Sequence, residues 1–138
     1  MVQVTIERVG LDSTTDQGVI ILADLSKTTI IPIWVRTLEA SAIALPLQGV
    51  VPPRPLTHDL LLEVIKKLGA KVVMVLIREL KDEVFYASLV LDVDGEREEI
   101  DCRPSDAMAL ALRAEAPIYV ADSVIMEAGI PAEDSQIQ

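Results

Sequence analysis

The sequence predicts an α+β domain: a mostly antiparallel sheet that includes a three-stranded meander, with about four helices packed on it. Three observations lead there. β-Branched runs fall in pairs joined by short polar turns, as hairpins do. The strong Asp94-Gly95 turn signal lies among the later runs and makes a meander of them. Between and after the runs stand segments of helical spacing, each bounded by a proline, a capping residue or a glycine.

Val2, Val4 and Ile6 alternate with Gln3, Thr5 and Glu7, the period of a strand with one wet face. Gly10 to Gly18 is expected to be a polar loop. Val19 to Ala23 and Thr28 to Val35 form a hairpin about Asp24–Lys27, and Pro32, with no N–H for the ladder, makes the second strand an edge or ends its pairing. Arg36 to Leu45 is helical, with Leu38, Ala42 and Leu45 on one face. The small Ala40, Ser41 and Ala44 permit close approach of another element, a second subunit's included, and Pro46 should end the helix. Val51 to Pro55 is a stiff connector. Thr57 caps a second helix whose apolar stripe is Leu61, Val64, Ile65 and Leu68, stopped by Gly69.

Val72 to Ile77 is apolar on both parities, as in a central strand covered on both faces. The meander continues through Val84–Leu91 and Glu98–Cys102, delivering Asp101 to the start of the next helix. Pro104 suits the first helical position, where its missing N–H would be unpaired anyway. Ser105 and Asp106 follow in the first turn, and the apolar girth from Ala107 to Ala114 predicts a buried helix. Ile118–Val120 is a short strand. A brief last helix starts at Asp122 or Ser123 and ends at Gly129. Residues 1–131 are expected to form the domain and 132–138 a fraying polar tail.

At 138 residues one domain is expected, with 51% hydrophobic but only 3% aromatic residues, so Val, Ile, Leu and Ala must build the core. Few aromatics weigh against a base-stacking platform for single strands, which needs exposed Phe, Tyr or Trp. No apolar run approaches the roughly 18–20 residues that span a bilayer. Glu7 and Arg8 interrupt any early leader. The single cysteine excludes an internal disulfide and a cysteine-rich metal site. A cytoplasmic protein without a membrane partner is expected. The net charge of −10 repels polyanions, so nucleic-acid chemistry needs a local cation or a bound metal to reverse the sign.

No phosphate-binding glycine loop, nucleophile elbow or zinc pattern is present. The densest chemical constellation is Asp101 with Asp106, joined by Asp59 and His58 if two helix starts converge. Carboxylates so gathered would hold Mg²⁺ or Mn²⁺, hard ions that prefer oxygen. His58 has the intrinsic range for general acid–base work, and Arg54 and Arg103 could grip phosphate. Each residue also has a structural role open to it. Asp59 and Asp106 can cap helices, worth ~0.3–1 kcal/mol each. The arginines can pair with them, His58 can be a hydrogen-bonding residue, and Ser105 can be a cap. Glu39 reads as a solvated or interfacial charge and Cys102 as a small buried hydrophobe.

Several blocks together resemble the bifunctional nuclease domain family: Pro53-Arg54-Pro55-Leu56-Thr57-His58-Asp59-Leu60, Phe85-Tyr86-Ala87, Arg103-Pro104-Ser105-Asp106-Ala107 and Ala116-Pro117-Ile118, with Pro32-Ile33-Trp34 and Glu39-Ala40 before them. The resemblance covers nearly the whole chain. It implies an α+β fold, self-association and nuclease activity on DNA and RNA. Its polar members place the site at Arg54, His58, Asp59, Arg103, Ser105 and Asp106, to which the residue reading adds Asp101. His58, Asp59, Ser105 and Asp106 are then catalytic candidates, Arg54 and Arg103 hold substrate, and Asp59, Asp101 and Asp106 hold the metal. Cys102, where the family's block leads one to expect Ser, and Pro46 are departures from the pattern. The alternatives are an acidic oligomeric module that meets a basic partner, and a small-nucleotide phosphohydrolase.

Overall fold

The computed structural model describes residues 1–132; the expected tail lies outside them from residue 133 onward. The elements in chain order are β1 (Val2–Asp12), β2 (Gln17–Asp24), β3 (Thr29–Val35), α1 (Thr37–Leu47), α2 (Thr57–Lys67), β4 (Ala70–Lys81), β5 (Val84–Val93), β6 (Glu96–Cys102), α3 (Pro104–Ala114), β7 (Ile118–Val120), α4 (Asp122–Ala128) and β8 (Ile130–Pro131). All the strands join one sheet in the order β6-β5-β4-β7-β1-β2-β3-β8. Only β4 and β7 run parallel. The α+β class and the β4-β5-β6 meander are as expected, and Asp94 and Gly95 both take the left-handed backbone that a tight hairpin turn needs.

The expected loop from Gly10 to Gly18 is largely strand. β1 stays paired with β2 as far as Asp12 opposite Gln17, so only residues 13–16 turn. Pro32 leaves the pairing of β3 with β2 unbroken, and β8 meets β3 only at Thr29 and Ile30, so from Ile31 onward β3 is an edge. β4 is central but is sealed on one face only. Val72, Val75 and Ile77 enter the main core, while Met74 and Leu76 stay half-buried. An irregularity between Val72 and Met74 resets the parity.

The main core is aliphatic, with Ile20, Leu22, Ile31, Ile43, Ile77, Met108 and Leu110 all but sealed from solvent. α3 supplies the buried helix expected of it. On α1 the buried residues are Ala40, Ile43 and Ala44, and Leu38 is 83% exposed. On α2 the core takes Leu62 and Ile65, whereas Leu61, Val64 and Leu68 of the expected stripe remain exposed. Consecutive leucines at 60, 61 and 62 make the helical period degenerate, so packing chooses the face.

The small residues of α1 serve approach within the chain. A Cβ on Gly18 of β2 would stand 2.8 Å from the Ala40 Cβ. Gly18→Ala should therefore destabilise the fold by about 1–3 kcal/mol through overpacking. An unchanged urea midpoint would show that α1 is free to yield.

Pro46 does not end α1 but stands inside its last turn. Proline gives no N–H to the carbonyl four residues back, here that of Ala42. The Arg113 guanidinium on α3 supplies the missing donor, Nη1 lying 2.8 Å from the Ala42 oxygen.

Candidate active site

The starts of three helices, α1, α2 and α3, meet here. Arg103 is the extended residue before α3, Pro104 its first helical residue, and Asp106 completes the first turn. This spacing folds the Asp106 carboxylate back onto its own neighbour: Arg103 Nε donates to Oδ2 at 2.9 Å and Nη2 to Oδ1 at 3.1 Å. His58, in the first turn of α2, brings Nε2 within 2.9 Å of the same Oδ1. On the other side Arg103 Nη1 donates to Glu39 Oε2, and Glu39 Oε1 accepts the Arg36 backbone N–H at 3.0 Å at the start of α1. Glu39, Arg103, Asp106 and His58 thus form one polar chain across three helices.

The chain borders a cleft of about 570 Å³. Leu38, Ala42, Leu45, Pro55 and Leu56 give it apolar walls, and Ser41, Thr57, His58, Ser105 and Asp106 give it polar points. Arg103 is the one cationic side chain among its lining residues, and it uses three of its five N–H donors on the two carboxylates. Burial pushes the Asp106 pKa up, but the hydrogen bonds and charges of Arg103 and His58 outweigh it and hold the carboxyl below the ordinary range. Arg103 is raised, first by its hydrogen bond to Asp106 and by that group's charge. Ser105 is buried at 4% exposure beneath the cleft.

The other expected residues lie elsewhere. Asp59 caps α2, its Oδ2 accepting the Leu56 N–H at 2.8 Å; the cap residue is Leu56, one place before Thr57. Its Oδ1 accepts from Arg113 Nε at 2.7 Å, so Asp59 lines a neighbouring hollow with Arg113. Asp101 pairs across the ladder with Ser88, and Arg78 donates to both side chains on that face. Ala87 and Leu89, which flank Ser88, point into the helix-covered core, so strand alternation puts Asp101 on the far side of the sheet. Arg54 is exposed in the connector and lines neither hollow.

The carboxylates Asp59, Asp101 and Asp106 therefore do not converge; each is held by a different arginine. Among the described residues no three of His, Cys, Asp and Glu are grouped to hold a metal ion. This donor arrangement does not fit Mg²⁺ or Mn²⁺ held jointly by Asp59, Asp101 and Asp106.

A model of the bifunctional nuclease domain matches residues 20–133. The chain belongs to the bifunctional nuclease domain family. An uncharacterised protein of Mycobacterium tuberculosis is 40% identical over 97% of this chain and 80% of its own length. Bifunctional nuclease 2 of rice, Oryza sativa subsp. japonica, is 29% identical over 86% of this chain and 38% of its own. Bifunctional nuclease 1 of Arabidopsis thaliana is 30% identical over 66% of this chain and 29% of its own. The chain thus spans only 29–38% of the length of these plant relatives. Among the described residues no helix is long and apolar enough to cross a membrane.

In this bifunctional nuclease domain the residues that sequence reasoning missed are Glu39 and Arg113. Glu39 stands three places after Arg36, a capping spacing that could have been read. Arg113 is the first charge after Asp106 on an otherwise apolar helix, and such a charge needs a partner.

Asp59 is also held low, first by the Leu56 N–H and then by Arg113 against the opposing effect of burial. Both carboxyls therefore stabilise the fold fully above the unfolded value of about 3.9, and that stabilisation is lost as pH falls through their lower folded values. Melting temperature should fall below about pH 4. Asp106→Asn should remove part of the slope. A slope identical in the variant would show that this carboxyl is not held low.

Proposed function

We propose that the domain hydrolyses phosphodiesters of nucleic acid, with His58 as general base and Arg103 as phosphate holder. The supporting observation is the contact of His58 Nε2 with Asp106 Oδ1 at the edge of a cleft that also presents Arg103. A carboxylate accepting from Nε2–H leaves the Nδ1 lone pair as the basic site. Nδ1 takes a proton from water, the water oxygen bonds to phosphorus, and the bond from phosphorus to the leaving oxygen breaks. The imidazolium then returns its proton to that oxygen. The two remaining N–H donors of Arg103 are free to take the non-bridging phosphate oxygens. Ser105, beneath them, contributes a hydroxyl to the same corner.

The test is cleavage of labelled single-stranded DNA and RNA by purified protein, with Mg²⁺, with Mn²⁺ and with chelator. Cutting by the wild type, lost in Asp106→Asn purified identically, is the expected result. Equal cutting by both preparations would assign the activity to a contaminant. The chelator arm decides the metal requirement. A second reading, a small-nucleotide phosphohydrolase, is favoured by charge: Glu39 and Asp106 outnumber Arg103, and the chain carries −10. Turnover of dinucleotides without cutting of polymers would select it. Self-association is part of the same proposal, because Leu38, Val51 and Leu68 are 83%, 89% and 79% exposed. Sedimentation velocity reads it directly, a monomer at all concentrations being the contrary result. A lone cysteine suits a cytoplasmic setting for this work.

A further inference from the structure

The polar chain of the cleft has a second side. Glu39, Arg103 and Ser105 also line a smaller hollow of about 250 Å³ between β3, the β4–β5 turn and the start of α3. Val84, Phe85 and Pro104 give this hollow apolar walls, and Trp34 stands at its rim. Trp34 is 67% exposed on the edge of β3 and also borders a further depression beyond Arg36. Composition weighs against a stacking platform, but this one large aromatic is left in water on an edge strand, next to the one cation of the cleft, where it has the makings of one.

We propose that this hollow, with Trp34 as its platform, holds a base of single-stranded nucleic acid flanking the phosphodiester bound in the cleft. The proposal rests on the nuclease reading. Continuity selects the occupant, since the two hollows share Arg103 and a strand leaving that guanidinium on one side enters the other. Charge selects which part of the strand enters. Glu39 and Glu83 line the hollow and disfavour a second phosphate, while the face of a base is neutral and stacks on an indole regardless of sequence. Sheet, turn and helix wall the hollow, so an unpaired base fits it and a duplex does not.

Trp34 is the only tryptophan of the chain, so it reports on its own occupancy. A single-stranded DNA oligonucleotide of mixed sequence, titrated onto His58→Ala protein so that no cutting intervenes, should quench the fluorescence saturably. By anisotropy of the labelled oligonucleotide, Trp34→Ala should weaken binding about ten- to a hundred-fold, with Trp34→Phe keeping most of the affinity. Both variants should melt near the wild type, because the side chain is mostly in water. If wild type cuts the oligonucleotide but fluorescence is unmoved and Trp34→Ala binds as tightly, the base subsite is wrong and the nuclease reading stands. If the oligonucleotide quenches Trp34 and binding needs the ring, yet wild type never cuts, the subsite stands and hydrolysis falls. Absence of both binding and cutting overturns both.

Discussion

If His58 is the general base proposed, replacing it with alanine should slow phosphodiester cleavage by about 10²–10⁴-fold, the usual loss when such a group is removed. The fold should survive, because His58 sits in the first turn of α2 with its core residues, Leu62 and Ile65, further along. Asp106 would keep both hydrogen bonds from Arg103, so no carboxylate is stranded. The geometry makes a second demand. In the proposed mechanism Asp106 acts through His58 and Arg103 together, so Asp106→Asn should cost a comparable factor, and the double variant should cost little more than either alone. Residues that act as one unit are non-additive in this way. Multiplicative losses in kcat would mean that the two side chains work independently, and a His58→Ala enzyme within a few-fold of wild type would remove the imidazole from the mechanism.

The corner at Arg103 was legible in the sequence for a local reason. Pro104 sets the helix start, and the three-residue spacing then returns Asp106 to Arg103 whatever the tertiary fold. Helix caps in the sequence allow the starts of α2 and α3 to converge, but whether His58 reaches Asp106 depends on how α2 lies across α3. Asp101 shows the opposite case. It is near Asp106 in the chain, but it alternates with Ile100 and Cys102, and one step along a strand changes the face. Asp59 has the right helix position for the cleft and is taken instead by Arg113, which lies 54 residues later. No local pattern could have named that partner. The strands were readable wherever apolar residues alternate. They were obscured at Gly10 to Asp12, where a glycine and an aspartate flank Leu11 and the ladder to β2 holds them in β1.

Arg113→Met should be a costly polar substitution, at about 3 kcal/mol, because it strips the part-buried Asp59 carboxylate of its arginine and leaves the Ala42 carbonyl without its donor. The Arg113 side chain is 8% exposed and ties three helices: Nε to Asp59 of α2 at 2.7 Å, Nη1 to Ala42 of α1 at 2.8 Å and to Ala109 of α3 at 2.9 Å. Methionine fills much of the volume, so the loss isolates the polar contacts from cavity formation. Domains of this size hold about 5–15 kcal/mol in total, so the variant should still fold and melt roughly 10 °C lower. Pro46 provides the decisive control. The Ala42 carbonyl depends on Arg113 because proline denies it the ordinary helical donor, so Pro46→Ala should return a donor and recover about 1 kcal/mol in the Arg113→Met background. The same Pro46→Ala change in the wild type has no orphaned carbonyl to satisfy, and its gain should be smaller than in Arg113→Met. Equal effects of Pro46→Ala in both backgrounds, measured by urea unfolding, would show that the guanidinium does not stand in for the missing N–H.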